Sequence, residues 1–278
     1  MTRLLVYILL YILSLLTVVN VFQLHPILMF LLSVVGFFVY FGLATLLFIV
    51  ILMSLSFPAN KKKQNSYNKY YRFLLTNASR FVLMMFGVKI NFIGEESLPN
   101  GNFVLVSNHR SNIDSMIFDV CLRKYPLVFI AKQSLFKIPA VGKMISGTGY
   151  LKLNRSSLKD GLKVINNGIK FLEEGKVSVG VFPEGTRGKN QHLLDFNNGC
   201  FNLAKKSKKP IVVCCLWDSS CVNDGLFYKT HRIQCHVVEV IQYENYANKS
   251  TQEIGELVNQ IITSKLVELQ GDEKVSLV

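Results

Sequence analysis

Val177-Ser178-Val179-Gly180-Val181-Phe182-Pro183-Glu184-Gly185-Thr186-Arg187-Gly188 carries a short apolar stretch straight into a loop with two glycines, a carboxylate and a guanidinium. The first six residues read as a buried strand, and the rest as the turn that leaves it. About 70 positions upstream the same order recurs. There Phe103–Ser107 reads as a strand, and Asn108-His109-Arg110-Ser111-Asn112-Ile113-Asp114 as the loop beyond it. Further strands are expected at Leu127–Ala131, Ile211–Leu216 and Cys235–Ile241. Helices are expected at Ser115–Lys124, Ser157–Glu174, Asn198–Lys208 and Thr251–Leu269. Strands alternating with helices in this way predict an α/β fold, an αβα sandwich with a largely parallel central sheet. Reactive groups in such sheets gather beyond the carboxyl ends of strands. Both loops fall there.

Moving toward the N-terminus, residues 1–57 are almost wholly apolar, with Arg3 and His25 as the only Lys, Arg, His, Asp or Glu among them. Leu4–Phe22 is long enough for one membrane crossing. Gln23-Leu24-His25-Pro26 interrupts it, and Ile27–Phe57 follows. At ~1.5 Å per residue that second run exceeds a ~30 Å hydrocarbon core, so it must tilt, kink or extend into the interface. The pair reads as an N-terminal hydrophobic helical hairpin that either spans the bilayer or lies in one leaflet. No small-residue cleavage site follows the first run, which argues against a removed signal peptide. Arg3 before the pair and Lys61-Lys62-Lys63 after it place both outer ends in the cytoplasm. The expected location is therefore the inner (cytoplasmic) membrane, with everything after the hairpin facing the cytoplasm.

Ser66–Phe86 reads as an amphipathic helix, with Tyr67, Tyr70, Leu74, Ala78, Phe81 and Met85 recurring at helical spacing and Lys69, Arg72 and Arg80 between them. That pattern suits either the headgroup layer or ordinary core packing. Three segments result: a membrane-anchoring pair over 1–57, a basic and aromatic helix with its connector over 58–93, and a catalytic domain over 94–278.

The net charge of +13 is unevenly placed. Residues 58–210 hold 25 Lys and Arg against 9 Asp and Glu, whereas residues 211–278 hold 5 against 9. A basic region beside a membrane segment indicates anionic headgroups or phosphorylated substrates as partners. No nucleic-acid-binding module is recognisable, so nucleic acid is not expected as a partner. The six cysteines have no metal-ligand spacing, and no metal is expected. Reduced, buried thiols suit a cytoplasmic domain.

Two chemistries sit on the two loops. A neutral imidazole takes a proton near pH 7, and does so best when a carboxylate fixes its tautomer. His109 and Asp114 offer that pair. On an ideal helix a spacing of five sets them ~140° apart, so the chain must turn before the helix begins. Asp114 would then lie near a helix N-terminus, where a carboxylate is favoured. On the second loop Arg187 suits paired hydrogen bonds to a phosphate. Glu184 would repel a bare anion, and reads as holding Arg187, a backbone N–H or a glycerol hydroxyl. His25, His192, His231 and His236 have no comparable partner in the sequence.

These two strings, in this order and with Gly149-Tyr150-Leu151-Lys152-Leu153-Asn154-Arg155 between them, resemble the glycerophospholipid acyltransferase family, which carries the H-x-x-x-x-D motif. The resemblance runs from about Gly94 to Ile241, and Lys132, Leu135, Phe136, Pro139 and Gly142 share in it. It implies catalysis by His109 and Asp114. It also implies binding of the acyl acceptor by Glu184, Gly185, Thr186 and Arg187, with Arg155 on the acceptor phosphate. Asn154 stands where the family has Asp, Val213 where it has a second proline, and Asn197 where a lysine is frequent.

What the resemblance implies is an enzyme, a 1-acylglycerol-3-phosphate O-acyltransferase. It would move a fatty acyl group from acyl-acyl carrier protein or acyl-coenzyme A to the 2-hydroxyl of lysophosphatidic acid, giving phosphatidic acid for phospholipid biosynthesis. The thioester is a co-substrate, and no cofactor is expected. Another lysophospholipid or glycerol 3-phosphate as acceptor is the nearest alternative. A non-catalytic membrane protein that binds anionic lipid is the alternative from another class.

Overall fold

The computed structural model describes residues 2–21, 26–55, 66–188, 193–224 and 230–276. His25, His192 and the Lys61–Lys63 run lie outside them. The chain divides into two compact units, 1–59 and 60–278.

In the first unit, α1 (Thr2–Val21) packs on α2 (Pro26–Leu55). Small residues let them approach: a Cβ at Gly36 would sit 2.5 Å from the Ser14 hydroxyl, which donates to the Ser33 carbonyl. The Tyr7 ring meets Phe37 and Phe41 edge-on, and the Thr17 hydroxyl lies 2.8 Å from that of Tyr40. Most large apolar side chains of both helices stay exposed. Only Pro26–Phe48 is long and apolar enough to cross a membrane among the described residues. The apolar stretch among the described side chains of α1 is Leu5–Val19.

The second unit is built on seven strands: β1 (Val88–Ile93), β2 (Val104–Ser107), β3 (Leu127–Lys132), β4 (Leu151–Leu153), β5 (Ser178–Val181), β6 (Ile211–Trp217) and β7 (His231–Ile241). Their order across the sheet is β1-β7-β6-β2-β5-β3-β4. The run from β6 to β4 is parallel throughout, while β7 is antiparallel to β6 and parallel to β1. The carboxyl ends of β6, β2, β5, β3 and β4 therefore line one edge. Every residue of β2, β5 and β6 is buried, as continuous apolar strands require when both faces of a parallel sheet are covered.

The coverings are α3 (Lys69–Met85), α4 (Asp114–Cys121), α5 (Val141–Thr148), α6 (Leu158–Glu173), α7 (Asn202–Ser207) and α8 (Thr251–Ser276). Two neighbours on β5 show the two layers. Val179 faces Gly168 of α6, whereas Gly180 faces the ring of Phe129, which packs on Phe118 of α4. The architecture is the αβα sandwich with a largely parallel sheet that the alternation predicts.

Two features depart from expectation. Strand β1 precedes Gly94, and its alternating burial at Val88, Ile90 and Phe92 marks an edge strand. Helix α3, expected to present Tyr70 and Phe81 with Leu74 and Ala78, buries Tyr71, Arg72, Leu75, Ser79 and Leu83 beside the latter two. Tyr70 and Phe73 stay exposed. Arg72, one of the cations between those apolar positions, is buried in an ion pair with Asp119 of α4. Asp119 also accepts from the Tyr150 hydroxyl at 2.8 and 2.9 Å. A buried charge persists only when paired and hydrogen-bonded, so this triad fixes α3 to α4 and to the start of β4. Residues 66–93 thus belong to the same compact unit as the rest of the sandwich.

Candidate active site

His109 lies two residues past the end of β2, the central strand of the seven. The side chain of Asn108 spans the gap to β6: its amide donates to the Leu216 carbonyl and its oxygen accepts from the Leu216 N–H, both at 2.8 Å. The chain then turns, and Asp114 opens α4. His109 Nδ1 lies 2.8 Å from Asp114 Oδ2, which also accepts from the backbone N–H groups of Arg110 at 2.6 Å and Ser111 at 2.8 Å. An ionised carboxylate only accepts, so the proton of this contact is on Nδ1, and Nε2 is the nitrogen that can take another. The Asp114 side chain is fully buried, and that of His109 is 19% exposed.

Two further groups hold the imidazole. Phe182, the residue after β5, stacks on it with centroids 4.4 Å apart and planes 18° from parallel. Phe182 stacks in turn on Phe129 at 5.4 Å and 9°. A Cβ at residue 180 would lie 2.4 Å from the Phe129 ring, so the glycine makes room for the column. Glu184, 4% exposed, supplies the second hold. Its Oε1 accepts from the His109 N–H at 2.7 Å and its Oε2 from the Leu194 N–H at 3.0 Å. Burial raises the pKa of this carboxyl, while the two N–H donors pull it back. Of the three partners open to Glu184, the backbone N–H is the one observed.

Gly185 turns the loop at φ +65°, a conformation glycine adopts without strain, and a Cβ there would meet the Asn197 amide at 2.7 Å. The Asn197 side chain donates to the Pro183 carbonyl at 3.1 Å, so the residue at the family's lysine position braces the loop. Thr186 and Arg187 are exposed. Arg187 Nη1 donates to Asn112 Oδ1 at 2.6 Å, and the Gly188 N–H donates to the His109 carbonyl at 3.0 Å. The two loops are therefore stitched into one site.

Arg155 stands apart from this cluster but on the same edge. It follows β4, three strands from β2, which is about 14 Å at ~4.8 Å per strand. With Lys132, Gln133, Ser134, Leu153, Asn154 and Ser156 it lines a cleft of about 440 Å³. Arg155 makes no ion pair among the described residues, and the Asn154 oxygen accepts from the Ser156 hydroxyl at 2.8 Å, bracing the turn that carries Arg155. Among the described residues no group of three or more His, Cys, Asp or Glu could hold a metal ion.

Sequence reasoning missed Asn108, Asn112, Phe129, Phe182 and Gly180. The position of Phe182 at a strand end, one residue before the loop, was the available signal. None existed for the others, whose partners lie far away in the chain.

A histidine oriented by a buried carboxylate, beside an exposed arginine at the carboxyl edge of a parallel sheet, is an arrangement suited to base-assisted group transfer. Residues 89–217 match the family described as Acyltransferase. The chain is 28% identical over 182 residues to a 1-acyl-sn-glycerol-3-phosphate acyltransferase of Saccharomyces cerevisiae, covering 64% of this chain and 59% of the yeast protein. It is 26% identical over 191 residues to the protein of that name from Escherichia coli, covering 68% and 77%. The crystal structure of the 1-acyl-sn-glycerophosphate (LPA) acyltransferase of Thermotoga maritima shares the fold, with a TM-score of 0.64 at 23% identity over 84% of this chain and 94% of that one. Over residues 89–217 the chain is thus similar to the Acyltransferase family, and its relatives are named 1-acyl-sn-glycerol-3-phosphate acyltransferases.

Proposed function

We propose that this enzyme moves a fatty acyl group from a thioester, carried by acyl carrier protein or coenzyme A, to the 2-hydroxyl of lysophosphatidic acid, giving phosphatidic acid. The observation that carries the reading is the 2.8 Å contact between His109 Nδ1 and Asp114, which reserves Nε2 for the acceptor's proton. The names of the relatives support the acceptor.

In the step proposed, His109 Nε2 takes the hydroxyl proton as the acceptor oxygen attacks the thioester carbonyl. Asp114 stabilises the imidazolium that forms. The tetrahedral adduct collapses, the carbon–sulfur bond breaks, and the leaving thiolate takes the proton back from His109. Thiolates leave readily, so neither a covalent enzyme intermediate nor a cofactor is needed. Arg187 and Arg155 would bind the acceptor phosphate, while Glu184 and Gly185 shape the loop that presents Arg187. The apolar helices of residues 2–55 would hold the enzyme in the cytoplasmic membrane, with the sandwich in the cytoplasm.

The test is an incubation of the purified chain with labelled acyl-coenzyme A or acyl-acyl carrier protein and a panel of acceptors. Thiol release and labelled phosphatidic acid that depend on added lysophosphatidic acid are expected. Transfer only to glycerol 3-phosphate or to another lysophospholipid would replace the acceptor. Lipid binding without thiol release from any donor would overturn the enzymatic reading.

A further inference from the structure

The apolar stripe of α6 outruns the core. Leu158, Leu162, Ile165, Ile169 and Leu172 recur at spacings of three and four, which sets them along one face of the helix. The C-terminal end of the stripe is packed, with Leu172 0% and Ile169 7% exposed. At the N-terminal end Leu162 is 69% and Leu158 92% exposed. This uncovered end begins two residues after Ser156, on the rim of the cleft that Arg155 lines. From the other wall of that cleft the chain continues into a 3-10 turn, Gln133–Lys137, and there Leu135 and Ile138 are exposed as well. Four large exposed apolar side chains thus lie on the two segments that continue from the walls of one opening at the carboxyl edge of the sheet.

Charge around them has one sign. From Ala131 to Lys163 the chain holds seven Lys and Arg, all exposed, against a single acid, Asp160. Exposed apolar groups near an opening mark interaction sites, and the exposed cations interspersed with them along the chain favour an anionic partner with an apolar interior.

We propose that this rim docks on the surface of an anionic phospholipid bilayer, with Leu158, Leu162, Leu135 and Ile138 in the boundary between headgroups and acyl chains. Lys159, Lys163 and Lys137 lie over the lipid phosphates. A fluid layer adapts to two separate segments on either side of an opening, which a rigid acidic protein must match in shape. Docking here is distinct from anchoring by residues 2–55: the anchor keeps the enzyme at the membrane, and the rim turns the cleft toward it. The inference does not depend on which acceptor is used.

The experiment uses the full chain reconstituted in vesicles of phosphatidylcholine and phosphatidylglycerol. Trp217, the one tryptophan, is replaced by Phe, and a reporter is placed by Leu162→Trp. Lys206→Trp, in the last turn of α7 ahead of the amino end of β6, is the control. Brominated phospholipids should quench the reporter at 162 strongly and the control weakly, and less in phosphatidylcholine alone. Each of Lys159→Gln and Lys163→Gln should lower the ratio of docked to undocked protein about fivefold. Leu158→Trp serves as the reporter if the Leu162→Trp chain does not fold. Equal quenching at the two positions would overturn the proposal. So would a reporter that lipid does not quench but whose emission shifts when acyl carrier protein is added, which would make the rim a protein dock.

Discussion

His109 is held at three points: Asp114 fixes its tautomer, Phe182 fixes its plane, and Glu184 fixes its backbone N–H. Removing the imidazole should cost the general-base contribution and little else. His109→Ala is expected to lower turnover at least ~10²-fold with circular dichroism unchanged. Asp114→Asn should lower it too, because a neutral amide neither stabilises the imidazolium nor fixes the tautomer, its NH2 being able to donate to Nδ1. Near-normal turnover by folded His109→Ala protein would end the mechanism. The arginines have a different signature. Arg155→Ala and Arg187→Ala should each raise the KM for lysophosphatidic acid, with the KM for the thioester changed far less. Lysine should rescue only partly, since a point charge lacks the planar fork of donors. Normal acceptor kinetics in both alanine variants would remove the phosphate from these residues. His109 and Asp114 were legible in the sequence because five positions separate them. The holds on the imidazole were not, because Phe182 and Glu184 come from a strand some 70 residues away.

Among the elements, α4 carries the site at one end and a structural tie at the other. Asp114 opens it, and one turn later Asp119 takes the Arg72 guanidinium and the Tyr150 hydroxyl. Burial pushes the Asp119 carboxyl above its ordinary range, against the attraction of Arg72 and the Tyr150 bond. Neutralising one partner strands the other. Asp119→Asn should destabilise the fold by about 3–5 kcal/mol, read as a lower melting temperature in detergent. The double variant Arg72→Met, Asp119→Leu should recover much of that loss, since a buried pair can be exchanged for apolar side chains at little cost. A double variant no more stable than Asp119→Asn would show that the pair is not what holds α3 to α4. The helical period of α3 was readable in the sequence, but which face it buries was not. Arg72 is buried only because Asp119, 47 positions away, is there to meet it.

At the scale of the molecule, the proposed attachment to the membrane rests on residues 2–55, whose helices keep most large apolar side chains exposed. Held by burial of that surface, the protein should stay with membranes through high salt and alkaline carbonate and leave only in detergent. Attachment through basic residues alone would be lost in salt. The proposed orientation has Lys62 in the cytoplasm, so Lys62→Cys in intact cells should escape a membrane-impermeant thiol reagent and react once cells are opened. The unmodified chain gives the background from its own cysteines. Extraction by salt, or labelling from outside, would overturn an anchored enzyme facing the cytoplasm.

The sequence by itself determined the alternation of strands and helices, the apolar N-terminal pair, and the motifs at His109 and Glu184. Each is a local signal: periodicity, an apolar run, or reactive groups a few positions apart. Tertiary structure alone decided the order β1-β7-β6-β2-β5-β3-β4, which brings the two loops together at neighbouring strands and leaves Arg155 three strands away. It also decided that Glu184 bonds backbone N–H groups rather than Arg187, and that Asn112 takes the arginine instead. The reason is physical. A side chain's hydrogen-bond capacity is written in its type, but its partner is whichever group the packed sheet and helices bring within about 3 Å.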